Sequence, residues 1–188
     1  DVKNGESPKW LKNKLLAIGL RPISALVDIT NYSTIALNRP LHVFDADKIK
    51  GNINIRMAKD GEKMLALDGK EYTLDKNMTV IADDQNAEAL AGVIGGERTS
   101  VSEATVNVIL ETAYFNPIRT AMTGRKLNIT SDARFRFERG VDPAFLKDGT
   151  EIASQLILDL CGGEASKIII AGSEPNWERK YFLRGNRV

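Results

Sequence analysis

The sequence predicts an α+β fold: a many-stranded, largely antiparallel sheet core, barrel-like or mixed, with helices at both ends. Two observations carry that expectation. Capped helical segments stand near the start of the chain and again toward its end. Between them run short apolar stretches, several with period-two alternation, separated by turn residues, which is the pattern of antiparallel strands rather than of βαβ units. No internal repeat and no low-complexity tract interrupts this order.

Taken in order, Ser7-Pro8 reads as a helix start, with a hydroxyl N-cap and a proline at the first helical position, where its missing N–H costs nothing. Trp10, Leu11, Leu15 and Ile18 form one apolar stripe, and Gly19 supplies the stop. Ser24 can cap a second helix whose Leu26, Ile29 and Ile35 would face the core. Thr30 and Asn31 in its interior are unusual, because both side chains compete for backbone hydrogen bonds. After Pro40, Leu41 to Phe44 is a short strand carrying His42, the only histidine in the chain. The residues alone leave two readings open: a solvated or kinked helix face beside a satisfied core histidine, or two walls of one site.

Ile53, Ile55 and Met57 alternate with Asn54 and Arg56, as in a half-buried strand. Met64 to Leu67 and Tyr72 to Leu74 flank Asp68-Gly69, a tight-hairpin signal. Met78 to Ala82 is a further strand. Leu90-Ala91-Gly92-Val93-Ile94-Gly95-Gly96 follows, and glycines inside a strand-like run weaken it unless a backbone or ligand must come close. Val106 to Ala113 is a strand in which Asn107, Ile109, Glu111 and Ala113 share a face. Glu111 is either a rim carboxylate or an inward group that needs a partner. Asn116-Pro117 starts a third helix to about Leu127, and Thr130 to Ala133 is a loop. Phe135 and Phe137 alternate with Arg134 and Arg136, predicting a strand with a basic outer face. Asp142-Pro143 caps the longest helix, with Phe145, Ile152, Leu156 and Leu160 in register and Gly162 past its end. Lys167 to Ala171 is the last expected strand. Pro175, Trp177 and then charge suggest a linker.

Length and composition set the limits on chemistry. At 188 residues the chain can bury a core without disulfides, as one large domain or two small ones sharing a core. The apolar and charged fractions, 43% and 27%, are those of a soluble globular protein. A formal net charge of +1 gives no general basic field for nucleic acid, so RNA contact must be local or made by a partner. The single cysteine, Cys161, excludes an internal disulfide and fits a reducing compartment. One histidine and one cysteine make a zinc site unexpected, and no metal site is predicted. No apolar run is long enough to span a membrane, no signal peptide opens the chain, and a start at Asp1 reads like a piece of something longer. There is no GxxxxGK[ST] loop and no GxSxG elbow. What remains is a binding site that at most positions a water, with His42 as the group able to orient or deprotonate it.

Four stretches together add a resemblance. Gly19 to Tyr32 (GLRPISALVDITNY), Arg39 to Asp45 (RPLHVFD), Leu90 to Gly96 (LAGVIGG) and Arg136 to Pro143 (RFERGVDP) closely resemble the bacterial phenylalanyl-tRNA synthetase β-subunit family, in order and spacing, from about Ser7 to Ile170. The resemblance implies that residues 1–172 are a single editing domain, with 173–188 a linker into a further domain. Such a domain hydrolyses tyrosine wrongly esterified to the phenylalanine tRNA and does not activate the amino acid. It also implies the synthetase α-subunit, the rest of the β-subunit and the 3′ end of the aminoacylated tRNA as partners, and a cytoplasmic (αβ)₂ enzyme with no membrane. No cofactor is implied in this fragment; the parent enzyme uses ATP and Mg at the other subunit's site.

Carried over position by position, the resemblance makes Thr30 and Asn31 pocket residues and His42 the histidine beside the scissile ester. It makes Ala91 and Gly92 the glycine-rich wall, Glu111 the carboxylate that reads the tyrosine hydroxyl, and Ser131 with Ala133 the loop that shapes the pocket. Two positions depart from the family pattern. Ser131 stands where many members have threonine, and Asn38-Arg39 replaces the usual Gly-Gln, which bears on the turn more than on the pocket. The physics suits a second sieve: a hydrophobic pocket rejects an added hydroxyl by only about 10²-fold, whereas a site requiring the hydroxyl discriminates by about 10⁴–10⁵-fold. The competing expectations are a non-catalytic tRNA-docking or structural module of the same subunit, and an unrelated small-molecule enzyme or binding protein.

Overall fold

The computed structural model describes residues 1–176, 178 and 180–185. Among the described residues five α-helices, α1 (Lys9–Ala17), α2 (Ala25–Ala36), α3 (Pro117–Leu127), α4 (Asp132–Phe137) and α5 (Leu146–Cys161), flank eight strands. The strands are β1 (Leu41–Asp45), β2 (Asn54–Met57), β3 (Lys63–Leu65), β4 (Glu71–Thr73), β5 (Thr79–Ala82), β6 (Ala87–Leu90), β7 (Ile94–Gly95) and β8 (Val108–Thr112). All pairings are antiparallel, as expected, but they form three separate sheets (β1-β8, β2-β5-β6-β7 and β3-β4) and do not close into a barrel.

The β1-β8 ribbon is the middle of the molecule. Side chains alternate across it. Val43, Val108 and Leu110 face Leu11, Leu15, Leu26, Ile29, Ile157 and Cys161 of α1, α2 and α5. Phe44, Ile109 and Ala113 face the other way, into a cluster with Ile81, Ala89, Ala91, Phe115 and Phe137. Strand β5 divides this cluster from a third one by the same alternation, Val80 turning toward Met64, Leu74, Met78 and Leu90. The glycine-rich run is a hairpin: Gly92 has φ +70°, and the Val93 N–H closes on the Leu90 carbonyl at 2.9 Å.

The N-terminal caps work differently from the expected pattern. Pro8, not Ser7, is the N-cap of α1, and Ser24 caps α2 without a side-chain bond. Ser7 instead donates to the buried Asp28 at 2.6 Å, and Asp28 also accepts the Ile23 N–H at 2.8 Å, so one carboxylate ties the lead-in to α2. Of the predicted α1 stripe, Leu11 and Leu15 are buried, while Trp10 and Ile18 remain exposed. The Asn116-Pro117 start of α3 is as expected, with Asn116 accepting the Arg119 N–H.

Four further expectations are corrected. Residues 132–137 are a helix, not a strand: residues two apart on a helix lie on opposite faces, and Phe137 is 3% exposed against 54% for Phe135. Arg134 is not on an outer face but bonds Glu138 and the Ile129 carbonyl. In α5 the helix begins at Leu146 with Phe145 as its N-cap, not at the expected Asp142-Pro143 cap; Gly149, Ala153, Ile157 and Cys161 are buried, the expected Leu156 and Leu160 pack half-buried against the same cluster as Ile157, and Ile152 is exposed. Strand β2 pairs on one side only, with β5, and leaves Ile55 and Met57 exposed. Lys167 to Ala171 forms no strand, and Ile168, Ile169 and Ile170 are exposed. Trp177 of the expected linker lies outside the described residues.

Candidate functional site

The register of the ribbon sets His42 directly across from Glu111. Antiparallel partners on one face bring their Cβ atoms to about 4.5–5.5 Å, so these two polar side chains are neighbours by construction of the sheet. The imidazole stands edge-on to Phe44, ring centroids 4.3 Å apart. Gly95 lies against it, where an added Cβ would sit 2.4 Å from His42 Cε1 and 2.9 Å from Leu67 Cδ1.

Both residues are half-buried, and one polar atom of each is out of solvent. Among the described residues His42 Nε2 and Glu111 Oε1 have no hydrogen-bond partner. An unpaired buried polar atom costs about 1–3 kcal/mol, so a cross-strand pair of them is expensive to keep. Burial lowers the His42 pKa to about 4 and raises that of Glu111 to about 8, the latter opposed by Arg39. At neutral pH the imidazole is therefore uncharged and free to accept. The Glu111 carboxyl offers an acceptor oxygen in either protonation state and also a donor when protonated.

The other predicted residues are distributed around this pair. Ala91 and Ala133 belong to the same apolar cluster as Phe44 and Ile109, which flank His42 and Glu111 on their strands. Gly92 packs where a Cβ would lie 3.0 Å from both the Phe115 and Phe137 rings. Ser131 is the N-cap of α4, accepting the Arg134 N–H at 3.0 Å, and it donates to the Val93 carbonyl at 2.6 Å, joining α4 to the glycine hairpin. Thr30 and Asn31 stand apart. They lie on α2, whose Leu26 and Ile29 cover the opposite face of the ribbon. The Thr30 hydroxyl donates back to the Val27 carbonyl at 2.8 Å, which settles that group within its own helix. Among the described residues neither shares a hydrogen bond or an apolar cluster with His42 and Glu111.

Two residues passed over by sequence reasoning prove close to the pair. Gly95, rather than Gly92, is the glycine that meets the imidazole; its place at the end of a glycine run was the only signal. Arg39 is fully buried, its guanidinium donating to the carbonyls of Ala113, at 3.4 Å, and of Asp142. An arginine beside proline at a turn normally reads as surface, and the sequence marked it only within the Asn38-Arg39 departure, read as bearing on the turn. A concavity of about 410 Å³ lined by Ile35, Leu37, Asn38, Asp142 and Phe145 abuts Arg39, and none of the predicted site residues lines it. Among the described residues no group of three or more His, Cys, Asp or Glu is placed to hold a metal ion, and no helix is long and apolar enough to cross a membrane.

Residues 1–162 match the family model described as the B3/4 domain. The chain is 65% identical over 187 residues to the phenylalanine–tRNA ligase beta subunit of Paramagnetospirillum magneticum, and 59% over 188 residues to that of Ruegeria pomeroyi. Both matches cover all of this chain but 23% and 24% of the relative, so the chain spans about a quarter of the length of these curated relatives. A crystal structure of an N-terminal fragment of the phenylalanyl-tRNA synthetase beta-subunit from Pyrococcus horikoshii matches with a TM-score of 0.42 at 19% identity, covering 66% of this chain and 43% of that one.

Proposed function

The chain belongs to the B3/4 domain family, and from that premise we propose that it is the editing module of a phenylalanine–tRNA ligase β-subunit, clearing tyrosine esterified to the phenylalanine tRNA. The observation that carries the reading is the unpaired, buried Glu111 set opposite His42. A tyrosine ring placed against the Ala91–Ala133 side of the cluster would offer its hydroxyl to Glu111. Phenylalanine would leave that acceptor unpaired, the condition under which a site discriminates by about 10⁴–10⁵-fold. Ala133, being small, leaves room for the ring. Neutral His42 holds the attacking water or the ester; water adds at the ester carbonyl carbon, the bond to the ribose oxygen breaks, and tyrosine and the free tRNA end depart. The ester is already activated, so positioning suffices, and the neighbouring ribose hydroxyl can assist.

On this reading the partners are the α-subunit, the remainder of the β-subunit and the tRNA 3′ end, in a cytoplasmic enzyme. Activation of phenylalanine, with its ATP and Mg, then belongs to the other subunit. A second reading, a tRNA-docking module without catalysis, is favoured by one observation: His42 Nε2 and Glu111 Oε1, the atoms the hydrolytic reading would use, are out of solvent although both residues are half-buried. Half-exposed Leu67 covers the imidazole beside Gly95. The two readings separate in deacylation of Tyr-tRNA and Phe-tRNA by the complete heterotetramer carrying Glu111→Ala or His42→Ala. Editing requires that Glu111→Ala abolish the preference for Tyr-tRNA and that His42→Ala slow clearance; unchanged tyrosine clearance in both variants would leave only the docking role.

A further inference from the structure

We propose that the outer face of α3 and α4, centred on Phe135 and Arg139, is a docking surface for single-stranded RNA, with one unpaired base stacked on the Phe135 ring. The inference rests on the editing reading for the identity of that RNA, the 3′ end of the esterified tRNA.

The charge of the chain is unevenly placed. Residues 117–140 hold six of the 26 basic residues and only two of the 25 acidic ones, although the whole chain carries +1. A near-neutral chain has no general field for nucleic acid, so a contact must be local, and this stretch supplies one. Two of its arginines are committed to the fold: Arg134 bonds Glu138 at 3.0 Å and the Ile129 carbonyl at 2.6 Å, and Arg136 pairs with Asp132 at 3.1 Å. Arg119 and Arg125 of α3 are exposed, and among the described residues no acid pairs with either. Ile118 and Met122, one helical turn apart between them, are exposed as well.

The ring beside these charges is held ready. Phe135 is 54% exposed, and the Arg139 guanidinium lies over it, 3.7 Å from the ring centroid. That guanidinium is oriented by two bonds, to the Phe135 carbonyl at 2.8 Å and to Glu138 at 2.7 Å. Exposed phenylalanine with a stacked arginine is the arrangement on which unpaired bases stack, since every base offers a flat face. A paired base has no free face, which selects a single strand. Phenylalanine, methionine and arginine also serve protein interfaces; the one-signed charge of this stretch is what favours a polyphosphate partner. The same short helix reaches the candidate site. Ala133 and Phe137 lie in the cluster beside His42 and Glu111, and Phe135, between them in sequence, faces outward. A strand laid along α4 therefore has its terminal residue close to the pocket wall.

The test uses the complete ligase with Tyr-tRNA added in trans. Single-turnover clearance against ligase concentration gives a half-saturating concentration and a maximal rate. Phe135→Ala should raise the half-saturating concentration on the order of tenfold, and more than it lowers the maximal rate; Phe135→Trp, which keeps a stacking face, should restore most of it. Arg125→Gln should weaken binding less and flatten its dependence on salt. A 5-iodocytidine placed in the unpaired 3′ end should photocrosslink to the peptide carrying Phe135, and Phe135→Ala should abolish that crosslink. An unmoved half-saturating concentration in Phe135→Ala, or no crosslink to that peptide, overturns the proposal. So does a Phe135→Ala ligase whose subunits come apart, because the face would then be a protein interface. A crosslink that depends on Phe135, found together with tyrosine clearance untouched by Glu111→Ala, upholds the RNA surface and defeats the editing reading instead.

Discussion

Asp83 and Glu111 are both acids withdrawn from water at the edge of or within a strand, and their surroundings treat them in opposite ways. Asp83, just past β5, accepts the N–H groups of Gln85 and Asn86 at 2.8 Å and of Lys50 at 3.0 Å, and pairs with Arg98, which also holds Glu88. Burial pushes its pKa up, but the backbone N–H groups of Asn86, Gln85 and Lys50 and the Arg98 guanidinium outweigh it, and the net shift is downward. Glu111 has burial without donors, only a guanidinium that bonds elsewhere, and its pKa rises to about 8. A buried acid whose oxygens are all engaged organises the chain around itself. One left with an open oxygen has capacity for something the chain does not supply.

The largest effect that would separate the two is loss of Asp83. Asp83→Ala leaves three N–H donors and Arg98 without their acceptor and should destabilise the fold by about 3–5 kcal/mol, read from urea unfolding. A loss below about 1 kcal/mol would mean that water replaces the carboxylate easily, and the contrast with Glu111 would weaken. Acid should act on the same group: its folded pKa is lowered, so its contribution is present above the unfolded carboxylate range and fades as pH falls through the folded value.

Next comes the wall of the unpaired site. Gly95→Ala places a methyl 2.4 Å from the imidazole, with Leu67 on its other flank, so one of them must move. Overpacking of this kind costs about 1–3 kcal/mol. A shift of His42 by about an ångström should slow ester clearance on the order of 10²-fold, measured as single-turnover deacylation by the whole ligase. Gly92→Ala, which strikes Phe115 and Phe137 instead, should destabilise at least as much while disturbing the imidazole less.

Glu111 itself should behave as the reverse of Asp83. Its folded pKa stands above its unfolded value, so its stabilising share is complete below about pH 4.5 and is lost as pH rises through about 8. Glu111→Gln removes that dependence, and the variant should gain on wild type by several kcal/mol between pH 4.5 and 8, about 1.4 for each unit by which the pKa is raised, seen in parallel urea titrations. His42 has the opposite sign: lowered from 6.5 to about 4, it contributes above the unfolded value and is lost as acid drives the pH through that interval. A Glu111→Gln chain with the same pH profile as wild type would show that the carboxyl finds solvent or a partner after all.

How far these features were legible follows from the kind of signal each gives. His42 and Glu111 stood out because a lone histidine and a charged residue interrupt apolar strands, but their pairing depends on a long-range register that no local pattern states. Arg39 was illegible for the converse reason: its type and its turn position both point outward, and only the left-handed Asn38 and the gap at Gly149 take it inside. Phe135 and Phe137 satisfy a strand pattern and a short helix equally well, and it was the Ser131 cap that selected the helix. A long helix ending at Gly162 was anticipated, but it starts at Leu146 rather than at the Asp142-Pro143 cap, and small Gly149 lies on its buried side where Arg39 comes close. The isoleucines at 168–170 have strand propensity but no paired neighbour among the described residues, and propensity alone does not make a ladder.

Ser131 gives the smallest expected effect and tests the distinction at its fine end. Its hydroxyl is engaged twice, donating to Val93 and accepting from Arg134, so it belongs with Asp83 rather than with Glu111 although it borders the candidate site. Ser131→Thr keeps both bonds and adds one methyl beside a half-buried helix end, and stability should move by no more than about 0.5 kcal/mol. Ser131→Ala loses the cap and the tie to the glycine hairpin together and should cost about 1 kcal/mol or somewhat more. Tyrosine clearance should follow the same order, because a group already satisfied by the chain can affect the ligand only through the position of Ala133 two residues on. If Ser131→Thr instead changed tyrosine selectivity tenfold with stability unaltered, the hydroxyl would be contacting the ligand directly, and engagement within the fold would no longer distinguish scaffold from site.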